Sequence, residues 1–404
     1  MKKSLLFAIV LMGIASFGQS QTVDFQHEGL QINARLQLPP NGTPPYKAIV
    51  IMPGTGANDR NGTFTLSGGN SQCLYPGLLN QTLAPYLGLS NALSDSGYAV
   101  LTYDKVEYTY PLTMGPITFD KLWMPVASAL QYLKSRNDID TNNLVLIGHS
   151  EGGAIIPYIA RQEPQVKALI SLAGPRRPLD SLLAYQLVFI ADSCNGDVNA
   201  AQQSADQILQ YCQDVRTGNY NSMTPPLFGV PANVWNKYFK VVDSVSHHYN
   251  SFGGPKLFVG MEDDINVPVS TELVRLQQEV AVADFYQIAG INHYLTTASD
   301  PAVSEAVTDT IVYWLRTKVF TSVKETKAET FSYVVRNGAI RISFESAATR
   351  ELELYDLNGK QLLSNKFQEL QADIPTGDLP GGMYILKVRS RNGYSSLKLV
   401  LPGS

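Results

Sequence analysis

The amino-acid sequence predicts an α/β architecture: a doubly wound, mostly parallel sheet with a helical lid insertion, followed by a small all-β C-terminal sandwich domain. Three observations predict it. From Ala48 to Leu172, short continuous apolar runs alternate with stretches of helical spacing, the pattern of strands buried on both faces. Between Pro175 and Gly254 that alternation stops and helical patterns take over. Beyond Phe320 it is replaced by short alternating strands with turn dipeptides.

Taken in order, the first residues read as an export signal over 1–20. Lys2 and Lys3 precede the apolar run Leu5 to Ile14, and small residues follow at Ala15, Ser16, Gly18 and Ser20. The run is too short to span a bilayer, and no later segment is long and apolar enough for a transmembrane helix. The pattern from Val23 to Leu38 predicts a hairpin turning near Glu28–Gly29. Strands are expected at Ala48–Met52, Ala99–Tyr103, Leu144–Ile147 and Ala168–Leu172, with helices at Tyr86–Ser94, Val126–Lys134 and Glu151–Arg161 between them. The insertion, about 176–253, carries helical patterns at Leu182–Ala191 and Ala200–Gln213 and then a loop rich in Pro, Asn and Gly, as expected of a lid over a site. Alternation resumes with a strand at Lys256–Val259, a helix near Thr271–Glu279, a strand at Ala283–Ile288 and a helix at Val303–Thr317. The main domain is expected to run over 21–320. A Lys/Glu/Thr-rich linker over 321–330 leads to a β module over 331–404, whose strongest hairpin signals are Asn358–Gly359 and Asn392–Gly393.

Charge and cysteine content narrow the function. A formal net charge of −4, with no Lys/Arg cluster interleaved with aromatics, argues against a nucleic-acid partner. Export permits a disulfide among Cys73, Cys194 and Cys212: Cys194 and Cys212 are close enough in sequence to pair, and two buried free thiols are the alternative. No spacing resembles a zinc site, and no metal or cofactor is expected.

Gly148-His149-Ser150-Glu151-Gly152 matches G-x-S-x-G, directly after an apolar strand and opening a helix. A serine at that turn sits in a strained elbow above the sheet, and the helix N-terminus aims free N–H groups at a developing oxyanion. Ser150 is therefore the candidate nucleophile. It needs a base, and the chain has only five histidines. His27 lies in the entry hairpin; His149 is the motif's variable position, with its side chain expected to point away from Ser150; His247 and His248 end the insertion. His293 follows the last strand of the domain, where the base of such a constellation is expected, and is the candidate base. The acid should follow a strand between the two, in Gly260-Met261-Glu262-Asp263-Asp264-Ile265-Asn266-Val267-Pro268. Counting back from Val267–Pro268 selects Asp264, the preferred residue, whereas counting forward from Gly260 selects Asp263. The oxyanion donors are expected to be the N–H groups of Thr55, in the loop after the first buried strand, and of Glu151. Asp59 and Arg60 are expected to brace that loop as an ion pair.

PGTGANDRNG at 53–62, YDK at 103–105, DIDTNNLVLIGHSEGG at 138–153, SLAGPRRPLD at 171–180 and GINHYL at 290–295 together resemble the α/β-hydrolase family of bacterial carboxylesterases related to dienelactone hydrolases and prolyl-oligopeptidase-like enzymes. The resemblance covers roughly residues 23 to 318. It implies Ser150, His293 and an Asp near 264 as a triad, and hydrolysis of short-acyl esters. LELYDLNGKQLL at 352–363, IPTGDLPGGMYILKV at 374–388 and SSLKLVLP at 395–402 resemble the type A sorting domain of the type IX secretion system of Bacteroidetes. That resemblance implies the secretion machinery as a partner and a secreted or outer-surface location. The expected function is a secreted serine hydrolase acting on small-molecule esters. A secreted serine peptidase and a non-catalytic surface-binding protein on the same scaffold are the rival readings.

Overall fold

A computed structural model describes residues 19–112, 115–320, 331–336, 338–356, 360–377, 379–380, 382–390 and 393–401. The expected export signal (apart from Gln19 and Ser20), the 321–330 linker, Asn358–Gly359 and Asn392 lie outside the described residues. The chain divides into two compact units, Met1–Phe320 and Thr321–Ser404.

The first unit is built on eight strands: β1 Ser20–His27, β2 Leu30–Gln37, β3 Tyr46–Met52, β4 Ala99–Tyr103, β5 Ile139–His149, β6 Val166–Leu172, β7 Lys256–Met261 and β8 Asp284–Ile288. Their order across the sheet is β1-β2-β4-β3-β5-β6-β7-β8. β1 and β2 form an antiparallel hairpin, β2 joins β4 antiparallel, and every later pairing is parallel. The hairpin turns through Glu28 and Gly29 with φ of 47° and 75°, the two positive values that a two-residue turn matching strand twist requires.

The sheet is covered on both sides because its central strands are apolar on both faces. Ala48, Val50 and Met52 face one core while Ile49 and Ile51 face the other, and Leu144 and Leu146 alternate with Val145 and Ile147 in the same way. One core is closed by helices Pro125–Lys134 and Glu151–Ala160, through Leu130, Leu133, Ile155 and Ile159. The other is closed by helices Pro85–Asp95 and Glu305–Trp314, through Leu89, Leu93, Val307, Ile311 and Trp314. Each fully buried aliphatic side chain here contributes about 1.5–3 kcal/mol relative to exposure.

The insertion departs from its expected form. It holds four helices, Leu179–Ser193, Val198–Thr217, Ala232–Val242 and Val245–Ser251, where the sequence pattern predicts two. The last two fall where a Pro- and Asn-containing stretch obscures periodicity. Their apolar faces belong to the main core: Trp235, Tyr238, Phe239 and Tyr249 are buried in it, and the Tyr249 hydroxyl donates to the Gly153 carbonyl at 2.6 Å.

The disulfide expectation is also corrected. Cys194 pairs with Cys73, Cα atoms 5.7 Å apart, and Cys212 is the buried free thiol. Cys212 lies on the inward face of Val198–Thr217 beside the core, whereas Cys194 caps the end of Leu179–Ser193, so sequence proximity misleads. The bond therefore ties the first inserted helix to the short turn Ser71–Leu74.

The second unit is a two-sheet sandwich. Strands Phe331–Arg336, Ala339–Phe344 and Gln371–Pro375 form one sheet; Gln361–Phe367, Arg350–Tyr355, Gly382–Ser390 and Gly393–Leu401 form the other, all antiparallel. Alternate residues, among them Ile340, Ile342, Leu352, Leu354, Leu386 and Val388, make its core.

Candidate active site

The parallel strands end together at one rim, and loops from that rim enclose a cavity of about 400 Å³, a volume typical of small-molecule sites. Ser150 and His293 both line it, together with Thr55 and Glu151.

Ser150 sits between β5 and helix Glu151–Ala160 with φ 52° and ψ −123°, a conformation that costs a non-glycine residue of order 1–3 kcal/mol. Register holds it there: Gly148 pairs with Met52 on one side and Ser171 on the other, and the Ser150 N–H donates to the Leu172 carbonyl at 2.9 Å. Gly148 is required because a Cβ there would lie 2.4 Å from the Gly152 backbone across the turn.

His293 and Asp264 meet from loops beyond β8 and β7. The His293 Nδ1 lies 2.7 Å from Asp264 Oδ2, and the other oxygen, Oδ1, accepts from the Asn266 and Val267 N–H groups at 2.8 Å each. The Asp264 side chain is fully shielded from solvent. Asp263 is exposed, its N–H donating to the Ile291 carbonyl at 3.0 Å. Of the two carboxylates left open by counting, the structure brings Asp264 to the imidazole. The backbone-capped turn Asp264–Val267 explains why counting back from Val267 selects it.

Two other expectations change. Arg60 does not pair with Asp59; its guanidinium forks onto Asp104, with Nε to Oδ1 at 3.0 Å and Nη2 to Oδ2 at 2.8 Å, while Asp59 caps the Asn61 and Thr63 N–H groups. His149 is not turned away from the site. It lines the cavity, its ring centroid is 4.9 Å from that of His293, and its Nε2 donates to the His293 carbonyl at 2.8 Å. Burial, then the neighbouring His293, pushes its pKa down to about 3. His248 is bound by Arg161 at 2.9 Å and His247 is exposed, and neither is among the cavity-lining residues.

Sequence reasoning does not single out Tyr86 or give Lys105 a role. Tyr86 is buried beside His149, and burial drives its hydroxyl pKa up to about 12. Lys105 is buried against Glu107 at 2.8 Å and Glu151 at 3.5 Å; burial lowers its pKa, but the two carboxylates outweigh burial and the net change is a rise. A lysine directly after a strand, in Tyr103-Asp104-Lys105, is the signal that could have found it. The outer walls are largely apolar: Phe64 and Tyr294, in ring contact at 4.6 Å, and Leu179, Leu182 and Leu183 from the first inserted helix. Among the described residues no group of His, Cys, Asp and Glu side chains is placed to hold a metal ion, and no helix is long and apolar enough to cross a membrane.

Comparison with known proteins locates two relationships. Residues 126–242 match the family model described as BAAT / Acyl-CoA thioester hydrolase C terminal, and residues 336–402 match the Secretion system C-terminal sorting domain. Esterase EstD of Thermotoga maritima is 26% identical over 155 residues, which are 37% of this chain and 32% of that protein. The match thus spans about a third of the curated relative. Among solved structures, the esterase domain of a Rhodothermus marinus protein is 20% identical with a TM-score of 0.45, over 74% of this chain and 99% of that one. Est1E from Butyrivibrio proteoclasticus is 17% identical with a TM-score of 0.46, over 73% and 97%.

Proposed function

We propose that this chain, which carries a C-terminal secretion sorting domain, is an α/β-hydrolase of the esterase kind, and that it hydrolyses small carboxylic esters through an acyl-enzyme on Ser150. The sorting domain directs the protein to secretion or to the outer cell surface, so its substrates are met outside the cell.

The observation that carries the reading is the short His293–Asp264 contact of 2.7 Å beside a cavity that Ser150 also lines. Asp264 accepts the Nδ1 proton of His293, which leaves Nε2 free to act as a base. Ser150 Oγ attacks the ester carbonyl carbon while His293 takes the hydroxyl proton. The carbonyl oxygen becomes an oxyanion, held by the N–H groups of Thr55 and Glu151, the latter at a helix start where the dipole also favours negative charge. Collapse breaks the bond to the alcohol, which leaves with the proton from His293. Water, deprotonated by the same imidazole, then cleaves the acyl-enzyme.

The walls favour an ester over a peptide. Glu151 is the acid among the described cavity-lining residues, and Lys105 already neutralises it. No unpaired carboxylate in that lining waits for a peptide ammonium, whereas Phe64, Tyr294 and the leucines of the insertion suit an apolar acyl or aryl group. Ser150→Ala is expected to lower kcat on p-nitrophenyl butyrate at least about 10⁴-fold and to abolish fluorophosphonate labelling. Wild-type turnover by that variant ends the reading.

A further inference from the structure

The two halves of the proposed catalytic apparatus come from loops far apart in sequence, Pro53–Asn58 and Asn292–Tyr294. One chain of hydrogen bonds joins them. The Gly54 N–H donates to the Tyr86 hydroxyl oxygen at 3.0 Å, that hydroxyl lies 3.0 Å from His149 Nδ1, and His149 Nε2 lies 2.8 Å from the His293 carbonyl. Donor directions are fixed at each link. A carbonyl can only accept, so the proton of neutral His149 sits on Nε2 and Nδ1 must accept. The single Tyr86 proton therefore points to Nδ1, and its oxygen is free for the Gly54 N–H. Because His149 stays neutral down to a pH of about 3, this order persists across any ordinary assay range.

The other end of Gly54 is held as firmly. Its carbonyl accepts from Lys105 Nζ at 3.0 Å and from Asn58 Nδ2 at 3.1 Å. That carbonyl shares a planar peptide with the Thr55 N–H, and in a trans peptide the two point in opposite directions. Drawing the oxygen toward Lys105 thus aims the Thr55 N–H the other way. The loop is pressed close to the nucleophile, since a Cβ on Gly54 would lie 2.9 Å from Ser150 Cβ. Lys105 also reaches Glu151, whose own N–H is the second proposed oxyanion donor.

We propose that Tyr86, His149 and Lys105 are positioning residues that lock the Gly54–Thr55 peptide to the His293 loop, so that oxyanion hole and base are held as one unit. The inference rests on the reading of Ser150, His293 and Thr55 given above. In this proposal each of the three acts through a backbone group: Tyr86 through the Gly54 N–H, His149 through the His293 carbonyl and Lys105 through the Gly54 carbonyl.

The test uses the full chain with Tyr86→Phe, Lys105→Met and Lys105→Arg, and reads kcat and KM on p-nitrophenyl butyrate, the melting temperature, and the rate and end-point of labelling by a fluorophosphonate. Tyr86→Phe deletes one oxygen and keeps the ring. It is expected to lower kcat about 10- to 100-fold, as a misaimed oxyanion donor does, with KM within about threefold. The labelling rate should fall by a similar factor, because phosphonylation builds the same negative oxygen, while the end-point stays complete. Lys105→Met should act likewise and Lys105→Arg, which keeps a donor, should recover most of the loss. Wild-type kcat in folded Tyr86→Phe overturns the inference, as does a loss confined to KM or one explained by an incomplete labelling end-point. If Lys105→Met does not fold, Tyr86→Phe decides alone. Failure of the underlying reading is distinguishable, because Ser150→Ala would then still turn over.

Discussion

The cavity is bounded by two regions of opposite construction. Its floor, the rim of the sheet, is polar and buried: His149, Glu151, Lys105, Asp264 and His293 are each under one-tenth exposed, and each has a named hydrogen-bond or ion-pair partner. Its cover, helix Leu179–Ser193 backed by Val198–Thr217, offers leucines to the cavity and is fastened along its edges. Cys194 is bonded to Cys73, Arg177 is paired with Glu272, Arg216 with Asp180 and Asp243 at 2.8 Å each, and Gln186 Nε2 donates to the Asn266 carbonyl at 2.9 Å. Buried polar networks hold groups to fractions of an ångström, because any unpaired member is costly. Apolar contacts and peripheral ties permit substitution and repacking. On the proposed function, chemistry belongs to the floor and substrate preference to the cover, so changes in the floor should move kcat and changes in the cover should move KM or stability.

The largest expected effect lies in the floor. Asp264→Asn would offer an amide where the imidazole needs an acceptor, leaving His293 in the wrong tautomer. A loss in kcat of about 10³- to 10⁴-fold with KM nearly constant is expected, measured on a short p-nitrophenyl ester. Asp263→Asn, at an exposed site, should stay within about twofold. The reverse ranking would show that the acid was misassigned. Next comes the cover. Cys73→Ser combined with Cys194→Ser removes a bond closing 121 residues of chain, and should cost about 2–4 kcal/mol of stability, read as a lower melting temperature under non-reducing conditions. Turnover of p-nitrophenyl acetate at 25 °C should remain within about threefold, while KM for longer acyl chains rises. Equal damage to kcat on the acetate would erase the division between floor and cover.

The same division sets what could be read from sequence. Buried strands such as Ala99–Tyr103 announce themselves by composition, because parallel strands covered on both faces are apolar throughout. Ser150 stands out as the candidate nucleophile because close backbone approach at the elbow demands glycine at 148 and 152, and His293 as the candidate base because so few histidines compete. Asp264 is half legible: the acidic triplet marks the loop, but only the turn in which Asn266 and Val267 cap Oδ1 selects one carboxylate. The rest depends on contacts that no local pattern encodes. Tyr86 lies on the face of an ordinary amphipathic helix, and nothing in its neighbours tells that its hydroxyl meets Gly54 and His149. Cys73 and Cys194 illustrate the same limit, as do helices Ala232–Val242 and Val245–Ser251, whose burial is decided by the sheet they cover.

The smallest effect offers the finest probe of the floor. His149 is neutral and buried, its pKa pushed down to about 3 by burial and by His293, whereas in the unfolded chain a histidine titrates near 6.5. As pH falls below 6.5 the unfolded state takes up a proton that the native state refuses. The contribution of this residue is therefore complete above that pH and is lost on acidification at about 1.4 kcal/mol per unit, reaching about 2 kcal/mol by pH 5. Other ionisable groups contribute to the total slope, which therefore does not identify the residue, but a difference between variants does. His149→Gln is less stable at pH 8, yet its urea midpoint should decline more gently between pH 6.5 and pH 5, the slope differing from wild type by one proton. Parallel slopes would mean that His149 is protonated in the native state. Its Nδ1 could then no longer accept from Tyr86, and the link between the two loops would be broken at its centre.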